Sequence, residues 1–107
     1  MKNFRTYQLA LAFHRSCQSL KLKHPLRDQF ERAILSIVLN LGEGSAKPTE
    51  KDRKRFYFTA LGSLREVQCI LDLSGASALK VEADMLGAHL YRLCHSHGSP
   101  LRLTVVR

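Results

Sequence analysis

The stretch from Asn40 to Ser74, NLGEGSAKPTEKDRKRFYFTALGSLREVQCILDLS, decides how this chain folds. It closes one apolar-periodic segment, passes through an elbow with two glycines and Pro48, and opens a second periodic segment behind a burst of positive charge. Glycine and proline at such a place end one helix and permit a sharp change of direction before the next. The stretch therefore predicts a helix, a tight turn over Gly42 to Thr49 and another helix.

The later helix, from about Glu50 to Ser74, places Phe56, Ala60, Ser63, Leu64, Val67 and Leu71 on one stripe. Lys47, Lys51, Lys54, Arg55 and Arg65 project mainly from the opposite side, where Phe58, Gly62 and Cys69 interrupt the charge with an apolar patch. A patch of that kind marks a contact surface, here a contact between subunits. Thr49 followed three residues on by Asp52 resembles a capping box, with Pro48 at the first helical position as the alternative start.

Upstream, Pro25 opens a helix running to about Gly42, with Leu26, Phe30, Ile34, Ile37, Val38 and Leu41 on its core face. Leu35 and Leu39 lie away from that face, so the helix is apolar on two sides, and in so short a chain the second partner is another subunit. The first segment, Phe4 to about Lys23, carries Leu9, Ala10, Phe13, Cys17 and Leu20 at spacings of three and four. Beyond a turn at Ser74, Gly75 and Ser77, the last segment runs from Ala78 to about His97 with Leu79, Ala83, Leu86, Leu90 and Leu93 in phase, and Gly98 as its terminator.

Helices of roughly 18 to 25 residues joined by short loops predict an all-α, antiparallel up-down-up-down four-helix bundle over residues 1–98. Residues 99–107 read as an extended tail, either disordered or docked on a neighbour.

With 107 residues the chain has room for one domain, and its charge is lopsided: 17 Lys and Arg against 9 Asp and Glu, a net +8. Such a field attracts polyanions, nucleic acid first among them, or keeps the protein in solution. The three cysteines, Cys17, Cys69 and Cys94, are widely spaced and fit a reducing cytoplasmic setting rather than a disulfide framework. The opening residues lack a cleavable secretory pattern, and no apolar run reaches the length needed to span a bilayer, so no membrane role is expected.

Catalytic constellations are not expected. Cys94, His95 and His97, with His89 upstream, are the nearest approach to a metal cluster, but Cys94 and His97 on one helical face make only a two-donor set, so no metal or other cofactor is assigned. Most of Glu43, Glu50, Asp52, Glu66 and Asp72 have basic neighbours in sequence or on the same helix, which account for them as ion pairs. The glycines of Gly42-Glu43-Gly44 follow no strand, so a phosphate-cradling loop is not indicated.

The run from Lys47 to Arg55 opposes the dipole of the helix it starts, which points to a role other than helix stability. Lys47, Lys51, Arg53, Lys54 and Arg55, with Arg65 further along, are the candidate phosphate contacts, displacing condensed counterions from DNA or RNA. The competing roles for these residues are a solvated face and an interface to an acidic protein. Phe56, Tyr57 and Phe58 are consecutive and point in different directions on a helix, so no base-stacking platform is evident and binding is expected to follow backbone and shape.

Asn40-Leu41-Gly42-Glu43-Gly44, then Arg55-Phe56, then Ala60-Leu61-Gly62-Ser63-Leu64-Arg65-Glu66 resemble the N-I-A-E-G, R-F and A-x-G-S-L-x-E-L pattern of the four-helix proteins encoded in intervening sequences of bacterial 23S ribosomal RNA genes. The same family includes the accessory variability determinant of diversity-generating retroelements. Leu41-Gly42 stands where Ile-Ala is usual, and Val67 where Leu is. The resemblance implies a barrel-like homopentamer with a basic surface and no catalysis by the bundle. For the retroelement branch it implies binding to nucleic acid and to a partner reverse transcriptase. For the ribosomal branch the corresponding expectation is a protein-interaction scaffold. The oligomer contacts expected from the apolar patches are Leu35, Leu39, Phe58 and Gly62.

Overall fold

The computed structural model describes residues 4–96, all within the expected bundle; the tail, His97 and Gly98 lie outside the described residues. Four helices follow one another: α1 (Arg5–Cys17), α2 (Leu26–Ser45), α3 (Glu50–Ser74) and α4 (Ser77–His95), with no strand among the described residues. The result is a four-helix bundle in which α2 packs on α3, α3 on α4, and α1 closes the ring against α2 and α4. No helix is long and apolar enough to cross a membrane among the described residues.

The core is built from the expected stripes. Phe13, Ile37, Leu41, Leu64, Val67, Leu71, Leu86 and Leu90 are fully enclosed, and Ala10, Ala60 and Ala83 let the helices come together between them. At about 1.5–3 kcal/mol per large apolar side chain, burial of this set is what makes the helices stable, since isolated helices of these lengths are marginal in water.

Helix α1 ends six residues earlier than its apolar period predicts. The side chains of Gln18 and Ser19 bond the carbonyls of His14 and Ser16, competing with a further helical turn. Leu20 and Leu22 then both pack against the core, a spacing of two that an extended chain satisfies and a helix does not.

Helix α2 runs three residues further than expected, through Gly42 and Gly44 to Ser45. Two glycines in a helix interior cost about 1 kcal/mol each. Gly44 repays this by position: a Cβ there would lie 2.8 Å from the Phe56 Cβ and 3.2 Å from the Arg53 carbonyl oxygen, so only glycine lets α2 approach α3 so closely. Gly42 meets nothing nearer than Tyr7, at an ordinary 3.5 Å, and has no such requirement. The elbow shrinks to residues 46–49 as a result.

Helix α3 keeps its expected bounds. The Thr49 hydroxyl accepts from the Asp52 amide at 3.2 Å, half of the capping box; the Asp52 carboxylate turns instead to Arg55 at 3.7 Å. At the far end Gly75 adopts a left-handed φ of 75° and donates to Leu71 O, the conformation for which glycine is the favoured residue.

One stripe assignment changes. Phe56, expected in the core, is half-buried, and Tyr57 takes the core position beside it. The reason is the two partners at this end of α3: Phe4 packs its ring on Tyr57 with centroids 5.9 Å apart, while Phe56 lies along the α2 side at Gly44. Burial pushes the Tyr57 phenol up, and the nearby Arg53 partly opposes that shift.

Candidate nucleic-acid interface

The basic residues of the Asn40–Ser74 stretch do not form one uniform patch. The start of α3 lies beside the end of α2 and the residue after α4, and those neighbours divide the cations between two kinds of work.

Arg53 and Lys54 are engaged with backbone carbonyls, Arg53 in the loop between α2 and α3 and Lys54 at the C-cap of α4. Arg53 donates from Nη1 to the carbonyls of Lys47 and Pro48, at 3.0 and 3.1 Å. Lys54 donates from Nζ to the Ser96 carbonyl just past α4, and lies 3.5 Å from Glu50. Lys54, at the C-terminus of α4, also meets the negative end of that helix's dipole. This accounts for a positive charge that appears ill-placed when α3 is considered alone.

Lys51 and Arg55 stay exposed on the outer side of α3. Lys51 has no ion-pair partner among the described residues, and Arg55 makes only a solvent-facing 3.7 Å contact with Asp52. Lys47, half-buried in the turn, lies 3.5 Å from exposed Glu43, a surface pair of small energetic weight. Lys47 and Arg55 also bracket the half-buried Phe56 ring, at 5.2 and 5.7 Å from its centroid. These cation–π contacts hold the two charges on one side of the molecule. Sequence reasoning assigned Phe56 to the core and so missed it; its i−1 spacing to Arg55 and membership of the R-F pair were the available signals.

Arg65 sits several turns away. Its Nη1 donates to Gln68 Oε1 at 2.9 Å, and Gln68 in turn donates to Asp84 on α4 at 2.8 Å. It thus belongs to the α3–α4 seam, apart from Lys47 and Arg55. Arg92 lines the same seam, a residue that the sequence reading did not single out.

The expected contact residues are all at the surface: Leu35 is 49% exposed, Leu39 59% and Phe58 48%, and a Cβ at Gly62 would meet nothing within 4 Å. Gly62 therefore does not serve helix packing within this chain. Its neighbour Ser63 does, with its hydroxyl 2.7 Å from that of Ser36 across α2 and α3.

Among the described residues no group of three or more His, Cys, Asp or Glu is placed to hold a metal ion. Cys94 is buried, and burial raises its thiol pKa against the opposing influence of Lys54. His95 bonds the Tyr91 carbonyl through Nδ1 at 2.9 Å and stacks on the Tyr91 ring. Desolvation, reinforced by Arg92 and Arg5, lowers the His89 pKa and favours the neutral imidazole.

No curated protein and no solved structure matches the chain. A family model described as 23S rRNA-intervening sequence protein matches residues 2–94, which takes in all but the final stretch of the sequence. On that match, and on an all-helical fold of four helices, the chain belongs to the 23S rRNA-intervening sequence protein family.

Proposed function

We propose that this protein is a basic, homo-oligomeric accessory factor that binds the phosphate backbone of DNA or RNA in the cytoplasm and catalyses nothing itself. The bundle is antiparallel, up-down-up-down. Support comes from paired contacts: Ser36 meets Ser63 while Gly44 meets Phe56, and Gln68 meets Asp84 while Lys54 meets Ser96. Assembly, by the family resemblance into a homopentamer, uses the outward face of α2 with Leu35 and Leu39. A reverse transcriptase is the protein partner that the retroelement side of the resemblance supplies.

The observation that carries the reading is the trio of half-buried Lys47 and exposed Lys51 and Arg55, two of them braced on Phe56. A solvated face has no need for such bracing, whereas a phosphate-binding surface gains from charges already in place. The test is the salt dependence of binding to a labelled oligonucleotide. Affinity should fall steeply from low to physiological ionic strength, and replacing all three residues by Gln should reduce the log–log slope by about 2 to 3. Absence of binding at low salt would remove the proposal.

A second reading, a protein-interaction scaffold, is favoured by Val81 and Met85, one turn apart on α4 and 62% and 58% exposed. Partner capture that survives nuclease treatment would favour it.

A further inference from the structure

The two helices of the α3–α4 seam build what no single helix of this chain contains. Tyr91 and His95 on α4 stack with ring centroids 4.0 Å apart and planes inclined by 26°, and Phe58 from α3 meets His95 edge-on at 5.5 Å. The rings are ordered before any ligand arrives, since the His95 Nδ1 bond to the Tyr91 carbonyl anchors the imidazole. They are also accessible: Phe58 is 48% and Tyr91 51% exposed. One turn along α3 from Phe58, the open space at Gly62 lets a flat ligand lie against the helix.

Charge surrounds this apolar floor. Arg65 and Arg92 line an open cleft of about 400 Å³ that also includes Tyr91, with Lys51 on the same side of α3 as Phe58. Gln68 and Asp84 also lie in the cleft, with Gln68 Oε1 and Nε2 and Asp84 Oδ1 engaged in the Arg65–Gln68–Asp84 chain of hydrogen bonds. Arg92 approaches His89 Nδ1 at 3.3 Å and keeps further donors free.

We infer that this seam is a stacking site for unpaired nucleobases, so that the protein takes single-stranded nucleic acid in preference to duplex. Aromatic faces flanked by arginines and lysines are the chemistry that a single strand offers partners for: each base has a π-face and each linkage a negative charge. A second copy of this chain fits less well, because it would bring a second net charge of +8 against arginines that already rim the floor. The assignment moves Phe58 and Gly62 from subunit contact to ligand contact, and it rests on the basic-surface reading for the phosphates.

The experiment compares a labelled 20-nucleotide single strand, its duplex and an abasic strand of equal length, by fluorescence anisotropy at fixed salt. Wild-type protein should prefer the base-bearing strand. Tyr91→Ala or Phe58→Ala should weaken that complex about 5- to 100-fold and leave the abasic strand and the salt slope unchanged. Tyr91→Phe should retain the preference. Gly62→Leu, a substitution that favours the helix and removes no ring, should abolish it by covering the floor. Equal binding of all three probes, untouched by these variants, would overturn the stacking site while leaving the basic surface standing. A change of oligomeric state in Phe58→Ala or Gly62→Leu, with all probes weakened alike, would show the seam to be a subunit contact and overturn it too. No binding of any probe would remove both readings.

Discussion

Gly44 and Phe56 pack so closely that a methyl group on the glycine would sit 2.8 Å from the Phe56 Cβ, with Tyr57 Cε1 at 2.9 Å. Gly44→Ala should therefore lower stability by about 1–3 kcal/mol despite the better helix propensity of alanine. Gly62→Ala, where a Cβ meets open space, should raise it by about 0.5–1 kcal/mol. Urea denaturation of both variants at one protein concentration checks the pair, and equal effects would refute the distinction.

Arg53 and Lys51 are two residues apart in sequence but differ in task. Arg53→Gln removes the bonds to the Lys47 and Pro48 carbonyls and should cost about 1 kcal/mol of stability. Its effect on the salt slope of oligonucleotide binding should be smaller than that of Lys51→Gln, which in turn should leave the unfolding midpoint where it was.

Leu64 lies at the centre of the core with no exposed surface. Leu64→Ala should cost about 2–5 kcal/mol through lost burial and the cavity left behind. Thermal unfolding should show the loss as a large drop in Tm, with no change in which oligonucleotides the remaining folded protein prefers.

The thiols should separate by burial. Cys69 is exposed, whereas Cys17 and Cys94 are buried, so a thiol-reactive dye should label Cys69 in the folded protein and the other two only on unfolding. Burial, with Glu82 nearby, pushes the Cys17 thiol from its ordinary 9.0 up to about 12. The folded state keeps that proton to higher pH than the unfolded chain does. Its stabilising contribution is complete below about pH 9 and is lost as pH rises toward 12, so stability should decline across that alkaline window.

Leu35 and Leu39, on the outer side of α2, supply the proposed subunit contact. Replacing both by Gln should shift the mass measured by light scattering toward the monomer and leave helix content unchanged. An unaltered mass would place the contact elsewhere.

Helix number, order and most core positions were legible in the sequence because the 3.6-residue period of Ile34, Ile37 and Leu41, or of Leu64, Val67 and Leu71, is a local property. Helix ends were less so. The end of α1 depends on Leu20 and Leu22 both reaching the core, and the continuation of α2 through Gly42 and Gly44 depends on contact with α3. No propensity of the isolated segment contains that information.

The same division runs through the site. The sequence by itself determined that the chain is basic, that its positive charge concentrates at the start of α3, and that apolar residues remain on outward faces. Only the tertiary structure decided which cations are free. Helix packing brings the ends of α2 and α4 beside the start of α3, so Arg53 and Lys54 meet backbone carbonyls while Lys51 and Arg55 face solvent. It likewise decided that Phe58 meets His95, a residue more than thirty positions away that stacks on Tyr91. Charge and period can be read from neighbours along the chain, but a surface made from two helices exists only once their shared core has set them side by side.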